Sequence, residues 1–193
     1  RLTIQRLKDD GVFDMNRSLS IPLLPRRIAV ISADTAAGYG DFCHQLRNTS
    51  PTYSISLTLF PALMQGDKAS ASIIAALDRI CEQQHNYDLV VIIRGGGATT
   101  DLTCFDSYEL ASHCAQFPLP IVAGIGHLRD TSVLDLVAHT SLKTPTAVAE
   151  WILQAYQQQD ELLSRFAQRI TQSLHQRLLQ QHYSLEQIHL WIR

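Results

Sequence analysis

The chain has 193 residues, of which 46% are apolar and 18% charged, and its net charge at pH 7 is −2. This length can bury a substantial core and carry an appendage beside one domain. A balance so close to neutral excludes nucleic-acid binding by bulk electrostatics, and no apolar run reaches membrane-spanning length. Leu2 to Leu7 and the following Lys8-Asp9-Asp10-Gly11 predict a short helix that Gly11 ends. Residues 16–25, with Pro22 and Pro25, read as a connecting arm. Arg27 to Ser32 is the first strand, followed by the small turn Ala33 to Gly38 and a helix carrying Asp41 and Leu46. Ser54 to Phe60 alternates apolar and polar residues, the mark of an edge strand that Pro61 closes. Ile73, Ile74, Leu77 and Ile80 are spaced as on one helix face, which predicts a helix across 67–84.

Val90-Val91-Ile92-Ile93 is short, uncharged and β-branched, and so predicts a buried strand. A helix is expected across 106–116, then a strand from Ile121 and a helix across 130–139. Thr144-Pro145 supplies an N-cap and a proline at the first helical position, and no glycine or proline follows up to residue 193. That last helix would reach about 60–70 Å. Its apolar stripe of Leu163, Phe166, Ile170, Leu174, Leu178, Leu185 and Ile188 repeats nearer eleven residues than seven. The order predicts an α/β fold. It has a mostly parallel sheet of about four strands, with helices on both faces and a long C-terminal helical arm. The expected organisation is an N-terminal helix and linker over 1–25, an α/β domain over 26–144, and the arm over 145–193.

In such sheets, ligands sit outside the carboxyl ends of the strands. Arg94 follows the third strand and leads into Gly95, Gly96 and Gly97. Glycines let the backbone turn several N–H groups one way, and a guanidinium matches phosphate oxygens, so this strand end suits an anion. A structural ion pair of Arg94 with Asp101 or Asp106 is the competing reading. Gly126 and His127 end the fourth strand, with Asp130 one turn on, where a carboxylate could orient an imidazole for proton transfer. Asp41, Ser32 and Thr35 belong to the same edge. Two aspartates and a histidine from separate elements permit a divalent cation without supporting one. Cys43, Cys81, Cys104 and Cys114 form no metal spacing and read as free thiols in a reducing cytoplasm.

The strings RIAVISADTAAGYGD, PALMQGDKASASIIAAL, VVIIRGGGATTDLTCFD, PIVAGIGHLRDTSVLDLVAHT and KTPTAVAE, in this order, resemble the large subunit of exonuclease VII. The resemblance implies hydrolysis of single-stranded DNA from either end to short oligonucleotides. It implies Asp41, Arg94, His127 and Asp130 as the catalytic set. Ser32, Thr35, Gly95, Gly96, Gly97, Asp101 and Gly126 would contact the DNA phosphate. No cofactor, or an optional Mg²⁺, is expected. The implied partner is a small helical subunit bound in several copies on the arm, in the cytoplasm and away from membranes. The start at Arg1 is read as the loss of the family's N-terminal OB-fold. The chain departs from the family at Ala98, Thr100 and Leu128, where serine, glutamate and glutamate are usual. At His139 and Ser141 the family commonly has aspartate and arginine. A nucleotide- or phosphometabolite-binding regulatory domain, or a scaffold subunit with a decayed site, are the alternative readings.

Overall fold

The computed structural model describes residues 2–49, 53–95, 102–126 and 131–192, without the side chains of residues 48, 49, 186 and 189. In chain order, α1 (Leu2–Asp9) precedes β1 (Arg27–Ser32), α2 (Ala37–Thr49), β2 (Ser56–Pro61) and α3 (Ala69–Cys81). β3 (Leu89–Ile93), α4 (Tyr108–Ala115), β4 (Ile121–Gly124), α5 (Val133–Val137), β5 (Thr140–Ser141) and α6 (Pro145–Trp191) follow. Among the described residues, five strands form one sheet in the order β2-β1-β3-β4-β5, with every neighbouring pair parallel.

Burial follows the residue pattern. β3 and β4 are buried at every position, as all-apolar strands covered on both faces must be. β2 alternates and lies at the edge. Ala29, Ile31, Val90, Ile92, Ile121 and Ala123 join one core cluster with Ile73 and Leu77 of α3, Leu110 of α4 and Leu134 of α5. By the two-residue strand period, Ile28, Val30, Val91, Ile93 and Val122 face the other way. All five are fully buried, and Phe42 and Leu46 of α2 and Val148, Ala149 and Ile152 of α6 are buried outside that cluster.

The fifth strand was not expected from sequence, since two residues, Thr140 and Ser141, carry no readable period. The helix expected across 130–139 is described as five residues. Ser132 caps its start, and extended backbone at Ala138 (φ −60°, ψ 151°) leads the chain into β5.

Two anchors order the other edges. Gly11 ends α1 with φ +71°, and the N–H of Val12 donates to Leu7 O at 3.1 Å, a helix stop that only glycine accommodates cheaply. The segment read as a plain arm is pinned by Asn16, which is fully buried. Its Nδ2 donates to Phe117 O at 3.1 Å and Leu119 O at 2.9 Å. Its Oδ1 accepts from the N–H groups of Ile121 and His139 at 2.9 and 3.1 Å. At the amino end of the sheet, Asp88 accepts from the N–H groups of Arg26 and Arg27, both at 2.9 Å, and pairs with the Arg27 guanidinium at 2.5 Å. Burial alone would raise the Asp88 carboxyl, but the hydrogen bonds from Arg27 and Arg26 prevail and hold it below its usual value.

The chain divides into two compact units, Arg1–Leu153 and Gln154–Arg193. α6 begins in the first unit, where Thr144 Oγ1 accepts the N–H of Ala147 at 3.0 Å as the sequence predicts, and it forms the second. No helix among the described residues is long and apolar enough to cross a membrane.

Candidate active site at the carboxyl edge of the sheet

β1, β3 and β4 are adjacent, and their ends are in register. Ile31 pairs with Ile92 and Ile93 with Gly124, so Ser32, Ile93 and Gly124 stand abreast. Strand spacing puts the backbones of β1 and β4 roughly 10 Å apart across β3. One residue further, the N–H of Arg94 donates to Gly124 O at 3.4 Å, which carries the pairing past the end of β3.

Arg94 is only 7% exposed. A guanidinium so withdrawn from water is costly unless hydrogen bonds and counter-charge meet it. Beside it, helix starts approach unusually closely. A Cβ on Gly38 would lie 2.8 Å from Gly95 Cα, 2.9 Å from Pro145 Cγ and 3.2 Å from Arg94 O. A Cβ on Gly95 would lie 3.1 Å from Ala36 Cβ and 3.3 Å from Gly38 N. The small residues Ala36, Ala37 and Gly38, which look like mere turn formers in the sequence, let the first turn of α2 and the start of α6 close on the end of β3. Helix starts carry a partial positive charge, which this packing brings to the end of β3.

Ser32 is fully buried at the end of β1, and its Oγ has no hydrogen-bond partner among the described residues. Thr35, in the turn that follows, and Asp41, on α2, have exposed side chains. Burial, with the Cys43 side chain next to it, pushes the Tyr39 phenol above its usual value, so α2 presents it as a neutral hydroxyl. Gly126 has φ +59°, and a Cβ there would lie 1.8 Å from Lys143 O. No side chain fits that position. Gly96, Gly97, Asp101, His127 and Asp130 lie outside the described residues.

Asp106 Oδ1 accepts the N–H of Val133 at 2.8 Å. Sequence reading also passed over Asp135, which is buried on α5. Its Oδ2 accepts from the Ser132 hydroxyl at 2.7 Å and the Ser132 N–H at 3.0 Å, and its Oδ1 accepts from the Ser141 hydroxyl at 2.7 Å. The spacing Ser132-x-x-Asp135 is a capping-box signal and could have been read. Ser141, where an arginine is common in the resembling family, meets this carboxylate with a hydroxyl.

A parallel sheet whose carboxyl edge combines a buried arginine, tightly approached glycine backbone and helix starts defines an α/β domain with a candidate anion site. Comparison with known proteins narrows the class. The model of the family described as "Exonuclease VII, large subunit" matches residues 12–193. The exodeoxyribonuclease 7 large subunit of a Nostoc species is 38% identical over 94% of this chain and 42% of its own length. That of a Cyanothece species is 41% identical over 75% of the chain and 34% of its own length. The Tolumonas auensis protein of the same name is 32% identical over 94% and 40%. The chain belongs to the exonuclease VII large-subunit family. It spans about two fifths of the length of these relatives.

Proposed function

We propose that this chain is the catalytic region of an exodeoxyribonuclease that hydrolyses phosphodiester bonds of single-stranded DNA from either end, releasing short oligonucleotides. The observation that carries the reading is the buried Arg94 at the end of β3, packed beside Gly95 and the first turn of α2. Its guanidinium and the N–H groups of Gly95, Gly96 and Gly97 hold the non-bridging oxygens of the scissile phosphate and the charge that grows on them during attack. Ser32, Thr35, Asp101 and Gly126 complete the phosphate contacts. The water oxygen forms the new bond to phosphorus as the bond to the leaving sugar oxygen breaks. One proton leaves the water and one reaches the leaving oxygen. His127 takes one of these two transfers with Asp130 orienting its ring, and Asp41 positions the water. An optional Mg²⁺ would be held by Asp41, where it would supply activation of the attacking water.

The second unit supports a partner role. Leu163, Ile170, Leu174, Leu178, Leu185 and Ile188 of α6 are each more than half exposed and follow one helical stripe. On the proposed reading, this stripe takes several copies of a small helical subunit, and the assembly works in the cytoplasm.

The test is Arg94→Ala in the full-length large subunit assembled with its small subunit, assayed on a single-stranded oligonucleotide. Removing one preorganised donor to the reacting phosphate is expected to lower kcat by about 10²–10³-fold. Arg94→Lys, which keeps the charge, separates loss of chemistry from loss of fold, with melting curves for both variants. Retained activity in Arg94→Ala removes Arg94 from the chemistry.

A further inference from the structure

We propose that Arg177 sets the register of the docking stripe on α6: the helix that covers this stripe carries an aspartate or glutamate facing Arg177. This rests on the proposed reading that the arm binds a small helical subunit, and it adds the chemistry by which that partner is recognised.

No glycine or proline follows Pro145 in α6, so its side chains keep the helical spacing up to Trp191. Counted at about 100° per residue from Leu163, Phe166, Ile170, Leu174, Leu178, Leu185 and Ile188 stay within about 60° of one line. Arg177 and Gln181 fall within about 40° of the same line, between Leu174 and Leu185. The stripe is thus an apolar seam with a polar notch in its middle. Arg165 and Arg169 lie about 120° or more from that line. Arg165 is also paired with Glu161 of its own helix at 3.4 Å.

Arg177 has no acidic neighbour on the helix. The residues that helical spacing brings beside it are Ser173, Leu174, Gln180 and Gln181. No Asp or Glu occurs across 162–185, and the nearest, Glu161 and Glu186, are about 13 Å or more away along the axis. The Arg177 side chain is exposed, and Leu174, Leu178 and Leu185 around it are each more than half exposed.

A partner that covers these leucines also covers Arg177. A guanidinium taken out of water is costly unless a counter-charge meets it, and a carboxylate matches its planar fork. A second copy laid along this span supplies none, since 162–185 contains no acidic residue. A nucleic-acid phosphate would satisfy Arg177 but leave the leucines on both sides in water. An amphipathic helix with one carboxylate among its apolar residues satisfies both. A polar pair at one level of such a seam fixes register, because sliding the partner by a turn sets the arginine against apolar side chains.

The experiment titrates the small subunit into the full-length large subunit and reads affinity and copy number by calorimetry, with circular dichroism as the check on helix content. The large-subunit variants are Arg177→Glu, Arg177→Leu and Leu174→Ser. Expected for both Arg177 variants is a loss of at least about tenfold in affinity for one or more copies. Each aspartate and glutamate of the small subunit is then changed to lysine and tested against Arg177→Glu. One of these changes should restore the lost affinity, and the same change should weaken binding to the unaltered arm. Unaltered binding by Arg177→Leu overturns the proposal, and so does recovery by none of the lysine variants. If Leu174→Ser also binds as the wild type does, the docking stripe itself falls. If Leu174→Ser weakens binding and both Arg177 variants bind normally, only the role of Arg177 falls.

Discussion

Gly126 shows how a single backbone position can constrain the candidate site. It combines φ +59° with a Cβ position 1.8 Å from Lys143 O, so an alanine there meets both left-handed strain and a backbone clash. The strain alone costs roughly 1–2 kcal/mol, and the displaced 143–144 backbone adds to it. Gly126→Ala is expected to destabilise the chain by about 3 kcal/mol or more in urea unfolding. A change below about 1 kcal/mol would show that the turn relaxes freely. Gly38 and Gly95 obey a related logic, since a Cβ at either one would crowd the backbone of the other. The glycine run and the Arg94 cation were legible in the sequence, because permissive backbone next to a permanent charge has few other uses. The involvement of Gly38 was not legible, because its reason is Pro145, more than a hundred residues away. Cys114 marks the opposite case. Burial pushes its thiol far above the usual range, leaving a packing residue without nucleophilic character.

Among the elements, the central strands follow from composition. β1, β3 and β4 are apolar runs buried on both faces, and their order with intervening helices dictates parallel pairing. The helix stop at Gly11 and the start at Thr144 follow from local backbone chemistry and appear where the sequence puts them. Elements whose ends are set by distant partners were misjudged. α5 is short because Ser132, Asp135 and Asp106 define its start and β4 draws the chain into β5 at Thr140. Asn16 is the clearest instance of a long-range anchor, since its amide satisfies four backbone groups around the entry to β4 and the end of α5. Asn16→Ala would leave these groups buried without that partner. The expected loss is about 3 kcal/mol in urea unfolding, with faster amide hydrogen exchange at Ile121 and His139. Unchanged exchange at both amides would show that the clamp is dispensable.

At the scale of the whole molecule, the two units pose separate problems. Residues 1–153 have a sheet-centred core of their own. Residues 154–193 form a helix with large apolar side chains in water, a state that packing against a partner would relieve. Leu163, Leu174 and Leu185 are eleven residues apart, so the stripe stays nearly straight along the helix instead of winding as a strict heptad would. On the proposed reading, light scattering should show the full chain gaining mass when mixed with the small helical subunit, and a chain ending at Leu153 gaining none. Equal binding by the shortened chain would move the docking surface off the arm.

The sequence by itself determined the fold class and the long final helix, and it singled out Arg94 with its glycines as a candidate phosphate cradle. Each follows from chemistry contained within a few neighbouring residues: apolar runs, caps and a charge beside glycines. Only the tertiary structure decided that Asp106 holds the N–H of Val133, that Asn16 holds the entry to β4, and that Gly38 meets both Gly95 and Pro145. These pairings join residues far apart in the chain. Their stabilisation comes from burying polar groups and backbone together, and no local pattern of residues records it.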